Sequence, residues 1–187
     1  MSRKVAVIVG SLRKGSFNRK VARAMQAMAP QNLAMEIVEI GQLPLYNEDD
    51  DQGDPPQSWV EFRQRLKAAD AVLFVTPEYN RSIPGALKNA LDVGSRPYGA
   101  NAWGGKPGAV ISVSPGAIGG FGANHHLRQT FVFLDIPCMQ QPEAYLGGIS
   151  DAAFSAQGGF ADEGMRGFVQ GFVDAYARWV EAYLAPA

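Results

Sequence analysis

The sequence predicts a doubly wound α/β fold in which a parallel sheet of five strands carries helices on both faces. Short apolar runs rich in valine and isoleucine alternate along the chain with longer segments whose apolar residues recur at helical spacing. Parallel strands joined by crossovers take right-handed connections, so a sheet wound in both directions is the simplest arrangement of these elements. The 187 residues contain no internal repeat, and we expect a single domain over residues 1–187.

Five apolar runs predict the strands, and the segments between them predict the crossovers. The predicted strands are residues 5–9, 35–40, 71–76, 107–114 and, after a proline, 138–140. Helices are predicted around apolar stripes that begin at Phe17, Trp59, Leu87 and Met165, and over residues 124–134. Residues 41–56 are predicted to be a loop. Its acidic run at 48–51 is predicted to be a solvated surface, because no metal-ligand pattern accompanies it.

Composition excludes several classes of protein. A formal net charge of −1 gives no general attraction to nucleic acid or acidic membranes. The single cysteine, Cys138, excludes an internal disulfide and any Cys-x-x-Cys motif, and it is predicted to be a small core residue. No apolar run approaches the ~20 residues that span a bilayer, and the stretch after Arg3 and Lys4 is too short for a signal peptide. We therefore expect a cytoplasmic protein.

Residues 10–18 join the first strand to the first helix through a polar loop. Its hydrogen-bonding side chains are Ser11, Arg13, Ser16 and Asn18. The first turn of a helix adds unpaired N–H groups and the positive end of the backbone dipole, so this loop suits an anion. The alternative is an ordinary capped turn in which Ser16 or Asn18 is the helix cap.

This loop differs from two well-known phosphate-binding loops. Gly10 and Gly15 have the spacing of a P-loop, but residues 16–17 lack its lysine and its magnesium-binding hydroxyl. Leu12 stands where a dinucleotide-binding fingerprint has its second glycine. The residues that remain suit one terminal phosphate held by hydroxyls, one arginine and backbone amides.

Two further loops follow the third and fourth strands. Pro77 and Pro84 stiffen the first of them. Such a loop can lie against a heteroaromatic ring, with Asn80 pairing with its edge and Tyr79 covering it, or it can be a stiff turn with an exposed tyrosine. Residues 114–122 are rich in glycine, which lets backbone approach a ligand closely or makes a loop mobile. Ligands of doubly wound sheets bind beyond the carboxyl ends of the strands, so we expect the three loops to meet at one crevice.

The motifs in these loops resemble those of the NAD(P)H-dependent FMN reductase family, and most closely its bacterial chromate and quinone reductase branch. The resemblance extends from Val5 to about Gly148. The first motif is Gly10-Ser11-Leu12-Arg13 with Ser16 and Asn18. The second is Pro77-Glu78-Tyr79-Asn80 followed by Ser82, Pro84, Gly85, Leu87, Lys88, Asn89, Ala90 and Asp92. Residues 126–129 and 142–143 are also similar to that branch.

The resemblance implies a flavodoxin-like fold, non-covalently bound FMN, and a homodimer or homotetramer. The FMN phosphate would be held by Ser11, Arg13, Ser16 and Asn18, with Phe17 beside them. The isoalloxazine would be lined by Pro77, Glu78, Tyr79, Asn80 and Ser82, with Ser114 and Gly116 on its other border. The resemblance also suggests that Arg128 and Glu143 pair across subunits.

The implied activity is an oxidoreductase reaction in which FMN carries the electrons. NADPH or NADH would pass hydride to flavin N5 and leave. A quinone would then be reduced on the same face, with chromate, azo compounds or free flavin as further small-molecule acceptors. The sequence offers no nucleophile–base pair and no metal-ligand cluster, since the adjacent His125 and His126 would point about 100° apart in a helix and are predicted at a surface or interface. No catalytic side chain or metal ion is therefore predicted.

Two other functions stay open. One is a flavodoxin-like electron carrier that docks to protein partners. Such carriers tend to be strongly acidic, so the net charge of −1 speaks against it. The other is a non-catalytic nucleotide-binding module.

Overall fold

The computed structural model describes residues 2–185 and is built around a five-stranded parallel sheet. The strands are β1 (Arg3–Val9), β2 (Leu33–Val38), β3 (Ala71–Thr76), β4 (Gly108–Val113) and β5 (Ala144–Leu146). Their order across the sheet is β2-β1-β3-β4-β5, the flavodoxin-like order with its switch point between β1 and β3. The predicted fold class is confirmed.

Helices cover both faces of this sheet. They are α1 (Phe17–Met28), α2 (Glu48–Asp51), α3 (Gln57–Lys67), α4 (Gly85–Ser95), α5 (Phe121–Leu134) and α6 (Glu163–Leu184), with a short 3-10 helix at Asp151–Ala153. Side chains along each strand alternate between two cores, so that Val5 and Val7 of β1 face α1 and α6, whereas Ala6 and Ile8 face α3, α4 and α5. Because both faces are covered, the central strands are continuous apolar runs. No helix in residues 2–185 has the length and apolar character needed to cross a membrane.

The fifth strand differs from its prediction. Residues 138–140 form only a single bridge to the first residue of β4, and the strand is β5, three residues long. Arg128 donates to the Met139 carbonyl at 3.0 Å, which takes that acceptor out of a strand ladder. A run as short as Ala-Tyr-Leu also produces no strand signal. Cys138 is half-buried at the edge of the core, and burial raises the pKa of its thiol.

The acidic run is only in part a solvated surface. Residues 48–50 are exposed, but the Asp51 carboxylate is 3% exposed and forms a two-point salt bridge with Arg63, at 2.7 and 2.8 Å. Arg63 also donates from Nε to the Val93 carbonyl at 2.8 Å, near the end of α4. The pair thereby ties residues 41–56 to α3 and α4. The prediction of a solvated run is wrong at Asp51. The sequence gives no sign of this salt bridge, because the partner residue lies 12 positions away on another element.

Removal of the Asp51 carboxylate should destabilise the protein strongly. In Asp51→Ala the Arg63 guanidinium would stay buried without its counter-charge, and we expect the free energy of unfolding to fall by about 3 kcal/mol. Urea denaturation followed by circular dichroism measures this change. Asp50→Ala removes an exposed carboxylate from the same turn and should change the free energy by less than about 0.5 kcal/mol. Equal stability of the two variants would contradict this role of the ion pair.

Candidate functional site

The carboxyl ends of β1, β3 and β4 lie side by side, so the loops that follow them begin at one edge of the sheet. β3 pairs in parallel with both neighbours up to the last or next-to-last residue of each strand. The Gly10 amide extends this pairing by donating to the Val75 carbonyl at 2.9 Å. We call residues 10–16, 77–84 and 114–120 the first, second and third loops.

The first loop caps α1 and still leaves donors free. Ser16 is the N-cap residue, and its Oγ accepts from the Arg19 amide at 3.2 Å, as the capped-turn alternative predicts. The backbone N–H groups of residues 11–15 and 17–18 make no hydrogen bond within residues 2–185. Capping and anion binding are therefore compatible here. The cap uses one side-chain oxygen, and the free N–H groups remain at the positive end of α1.

The side chains of this segment divide into buried and exposed groups. Ser11, Ser16 and Asn18 are buried, whereas Arg13 is exposed. Phe17 is half-buried, and its ring stacks on that of Phe154 at a centroid distance of 6.3 Å. The Phe17 side chain therefore anchors the start of α1 by apolar packing, and only the backbone N–H of this residue is free for a ligand.

Asn18 lies between α1 and the end of β4 with one polar atom unpaired. Its Nδ2 donates to the Val113 carbonyl at 3.4 Å. Its Oδ1 is buried and accepts no hydrogen bond from the described part of the chain. A buried acceptor without a donor costs about 1–3 kcal/mol, so this side chain is held at an energetic cost.

The second loop contains a tight turn. Tyr79 and Ser82 exchange two backbone hydrogen bonds of 2.9 and 3.0 Å. Asn80 and Arg81 between them have φ values of 51° and 64°, the left-handed conformations of a type I′ turn. Tyr79 is 50% exposed, as the stiff-turn alternative predicts. Left-handed backbone costs about 1 kcal/mol or more at a residue such as Arg81, so neighbouring contacts must hold this turn in place.

Two side-chain hydrogen bonds join the second loop to α5. Glu78 Oε2 accepts from the Ala123 amide at 3.0 Å, and Ser82 Oγ lies 2.7 Å from His126 Nδ1. The other Glu78 oxygen accepts from Arg81 at 3.3 Å, and the side chain is only 11% exposed. Glu78 therefore directs its carboxylate at α5 and not at the surface between the loops. Sequence reasoning missed the Ser82–His126 contact, because the two residues stand 44 positions apart with no shared pattern.

The third loop is packed against β5. The Ser114 amide donates to the Leu146 carbonyl at 2.9 Å, and the Gly116 amide donates to Ser114 Oγ at 3.0 Å. At Gly119 φ is 60°, and a Cβ there would lie 2.7 Å from the carbonyl carbon of Tyr145. Glycine at this position thus lets the third loop pack closely against the backbone of β5, and the close contact is within the protein and not with a ligand.

The two adjacent histidines have separate neighbours. His126 contacts Ser82, whereas His125 Nε2 lies 2.8 Å from the Tyr145 hydroxyl and 3.8 Å from the Glu143 carboxylate. Burial and the neighbouring Glu143 raise the pKa of Tyr145 to about 12, so its hydroxyl stays protonated at neutral pH. Among residues 2–185 no group of three or more His, Cys, Asp and Glu side chains is placed to hold a metal ion.

A cavity of about 870 Å³ lies elsewhere, between α1, the segment 151–160 and the start of α6. Its lining includes the cations Lys20, Arg23 and Arg166 and the rings of Phe154 and Phe160. None of the predicted site residues lines it. The candidate site is instead the surface between the three loops, where unpaired polar groups and strand ends coincide.

The sheet order β2-β1-β3-β4-β5 defines a flavodoxin-like α/β protein. Residues 3–151 match the NADPH-dependent FMN reductase family, and the chain belongs to that family. The resemblance predicted from the motifs is confirmed.

Individual relatives cover nearly the whole chain. A quinone reductase of Pseudomonas putida is 64% identical over 177 residues, which are 95% of this chain and 94% of that protein. A 2-hydroxy-1,4-benzoquinone reductase of a Burkholderia species is 49% identical over 180 residues, 96% of this chain and 97% of that protein. Among solved structures, the flavoenzyme NAD(P)H:(acceptor) oxidoreductase FerB from Paracoccus denitrificans is similar with a TM-score of 0.92. It is 45% identical, and the match covers 97% of this chain and 98% of that one.

A side chain at Gly10 should disturb the packing of the first loop. A Cβ there would lie 3.0 Å from Thr76 Oγ1 and 3.2 Å from Leu87 Cδ2. We expect Gly10→Ala to lower the free energy of unfolding by about 1–3 kcal/mol, since overpacking displaces these neighbours. Urea denaturation measures the change. Gly15→Ala is the matched control, because nothing lies within 4 Å of a Cβ at that position, and it should be neutral or stabilising by up to about 1 kcal/mol. A Gly10→Ala protein as stable as wild type would refute this packing argument.

Proposed function

We propose that this protein is an FMN-dependent NAD(P)H oxidoreductase that reduces quinones, and that FMN binds non-covalently across the three loops. The observation that carries the proposal is the state of residues 10–18. Seven backbone N–H groups there lack a partner among residues 2–185, and they lie in one segment with an exposed arginine and a buried, unpaired amide oxygen. This set of groups fits a ligand that carries both a phosphate and hydroxyls.

The phosphate of FMN matches the donors of the first loop. The free backbone amides, the hydroxyls of Ser11 and Ser16, and the Arg13 guanidinium are all available to it. Each charge-assisted hydrogen bond would contribute about 1.5–3 kcal/mol, before the costs of ordering and desolvation. A phosphate dianion carries only acceptors and cannot pair with Asn18 Oδ1. That atom is buried, so a donor such as a ribityl hydroxyl of FMN would reach it only if the Asn18 side chain moved on binding.

The isoalloxazine of FMN would lie between the second and third loops. The residues proposed on one border are Pro77, Glu78, Tyr79, Asn80 and Ser82, and those on the other are Ser114 and Gly116. Tyr79, which is 50% exposed, is free to cover the ring or to shape the substrate opening. Backbone N–H groups near the N1–C2 edge would stabilise the negative charge of reduced flavin.

Bound FMN supplies the redox chemistry, accepting hydride from NADPH or NADH and giving two electrons to an acceptor. The residues of this chain bind and orient the cofactor, and we assign none of them as acid, base or nucleophile. Quinones are the proposed acceptors, because the relatives from Pseudomonas putida and the Burkholderia species bear quinone reductase names. Chromate, azo compounds and free flavin are proposed as further acceptors, since an open ring face imposes little selection by shape.

A homodimer or homotetramer is part of the proposal. Val132 and Phe133 at the end of α5 are 84% and 75% exposed, an apolar pair that a second subunit would cover. We also propose that Arg128 pairs with Glu143 of a second copy; Arg128 Nη2 has no partner in the described part of the chain, and because it is buried within one subunit the side chain would have to turn outward to form this pair. We also propose a cytoplasmic location, in keeping with a nicotinamide dinucleotide donor and with an unpaired Cys138.

Replacing Arg13 should weaken FMN binding without slowing the chemistry. We expect Arg13→Ala to raise the Kd for FMN about tenfold, because one exposed charge-assisted contact is lost. The hydride-transfer rate of the FMN-saturated variant should stay within about twofold of wild type, since the guanidinium acts on the phosphate. Flavin fluorescence titration of the apoprotein and stopped-flow reduction measure the two quantities. Lys14→Ala tests whether loss of any nearby positive charge weakens FMN binding to the same extent. An unchanged FMN affinity in Arg13→Ala would overturn the assignment of Arg13 to the phosphate.

An anaerobic NADPH titration of the purified protein tests the function as a whole. We expect a yellow protein whose visible absorption bleaches on reduction, and whose colour returns when a quinone is added. Rapid turnover with a quinone and no partner protein would separate the enzyme from an electron carrier. A protein that stays colourless after incubation with FMN would overturn the proposal and favour a non-catalytic nucleotide-binding module.

A further inference from the structure

Glu78 carries a carboxylate that joins the second loop to the first turn of α5. Both of its oxygens are bound within the protein, Oε2 by the Ala123 amide at 3.0 Å and Oε1 by Arg81 at 3.3 Å. The side chain is 11% exposed, although it belongs to a loop whose next residue, Tyr79, is 50% exposed. These contacts indicate that the Glu78 carboxylate has a structural role.

The role of Glu78 is to cap the N-terminus of α5 from the second loop, in place of the residue at the N-cap position. The N-cap position of α5 is Gly120, which has a left-handed backbone and no side chain with which to cap the helix. The amide of Ala123, in the first turn, would otherwise lack an acceptor, and Glu78 supplies one from 45 positions away. A carboxylate at this point also faces the positive end of the helix dipole.

A second bond lies one turn further along the same helix. Ser82 Oγ is 2.7 Å from His126 Nδ1, and positions 123 and 126 fall on one side of α5. The two bonds flank the Tyr79–Ser82 turn, whose left-handed residues need external support. The second loop and the start of α5, which directly follows the third loop, are therefore held together as one unit.

We propose that Glu78 is a positioning residue for the flavin: by capping α5 it fixes the separation of the second and third loops, which form the two borders of the isoalloxazine site. The inference rests on the proposed FMN site, but it assigns the Glu78 side chain to the protein and not to the ring. The role requires a side chain long enough to place an acceptor oxygen at the Ala123 amide. Its negative charge is less important than its length.

Three variants separate the effect of side-chain length from the effect of negative charge at position 78. Glu78→Gln keeps the reach and an acceptor oxygen but loses the charge. Glu78→Asp keeps the charge but is one methylene too short. Glu78→Ala loses both. We expect Glu78→Asp and Glu78→Ala to raise the Kd for FMN about tenfold and to change the visible circular dichroism of the bound flavin, and we expect Glu78→Gln to stay within about threefold of wild type.

A matched control removes a similar cap far from the site. Asp162 caps α6 by accepting from the Met165 amide at 2.7 Å. Asp162→Ala should lower the unfolding midpoint, as the loss of the cap in Glu78→Asp and Glu78→Ala should, but leave FMN affinity and the flavin spectrum unchanged. If Glu78→Gln were as impaired as Glu78→Ala, charge or direct contact with the ring would be the cause, and the proposal would be wrong. Should Glu78→Ala fail to fold, Glu78→Asp carries the same comparison.

One measurement tests the capping role of Glu78 in the absence of flavin. Amide hydrogen exchange at the start of α5 in the apoprotein should be at least tenfold faster in Glu78→Asp than in Glu78→Gln, because only the latter caps Ala123. Equal exchange in the two variants would overturn the inference even in a protein that binds FMN. If the wild type bound no FMN while the exchange difference was present, the proposed function would fail and the capping role of Glu78 would stand.

Discussion

The parallel pairing of β3 with β1 on one side and β4 on the other is the constraint on which the candidate site depends. Every residue of β3 is buried, and its side chains alternate between the two cores. A shift of register by one residue would exchange those faces, so packing fixes the register. The same register sets where each strand ends, and hence where the three loops begin. The position of the site is therefore a property of the core.

The strands and the first loop could be predicted because their signals are local. A strand covered on both faces is a continuous apolar run, and the donors at 11–18 follow one such run directly. The features that could not be predicted depend on residues distant in the chain. Asp51 looks like its exposed neighbours until Arg63 is placed beside it. β5 exists because the end of β4 offers free pairing groups, and its three residues carry no pattern of their own.

The motif residues show a further limit of sequence reasoning. A motif can mark a residue as part of a site without saying which partner its side chain has. Asn89 accepts from the Tyr46 amide at 2.8 Å and donates to the Leu43 and Pro44 carbonyls at 3.2 and 2.9 Å, so this buried amide holds a neighbouring loop. Glu78 likewise directs its carboxylate at α5. In both cases the contacts give the side chain a supporting role that the motif alone does not reveal.

Helix electrostatics set the start of α1 apart from those of α5 and α6. α5 and α6 each have a carboxylate on a first-turn amide, from Glu78 and from Asp162. α1 has no acidic residue in its first turn, and Arg13 and Lys14 directly precede it. Cations at the positive end of a helix are unfavourable by about 0.3–1 kcal/mol each, so without a ligand this end of α1 is electrostatically uncompensated. A bound phosphate would attract both the cations and the positive end of the helix, and so would offset this repulsion. The chain thus supplies an anion of its own to α5 and α6 but none to α1, and any anion bound at the start of α1 would stabilise the folded state.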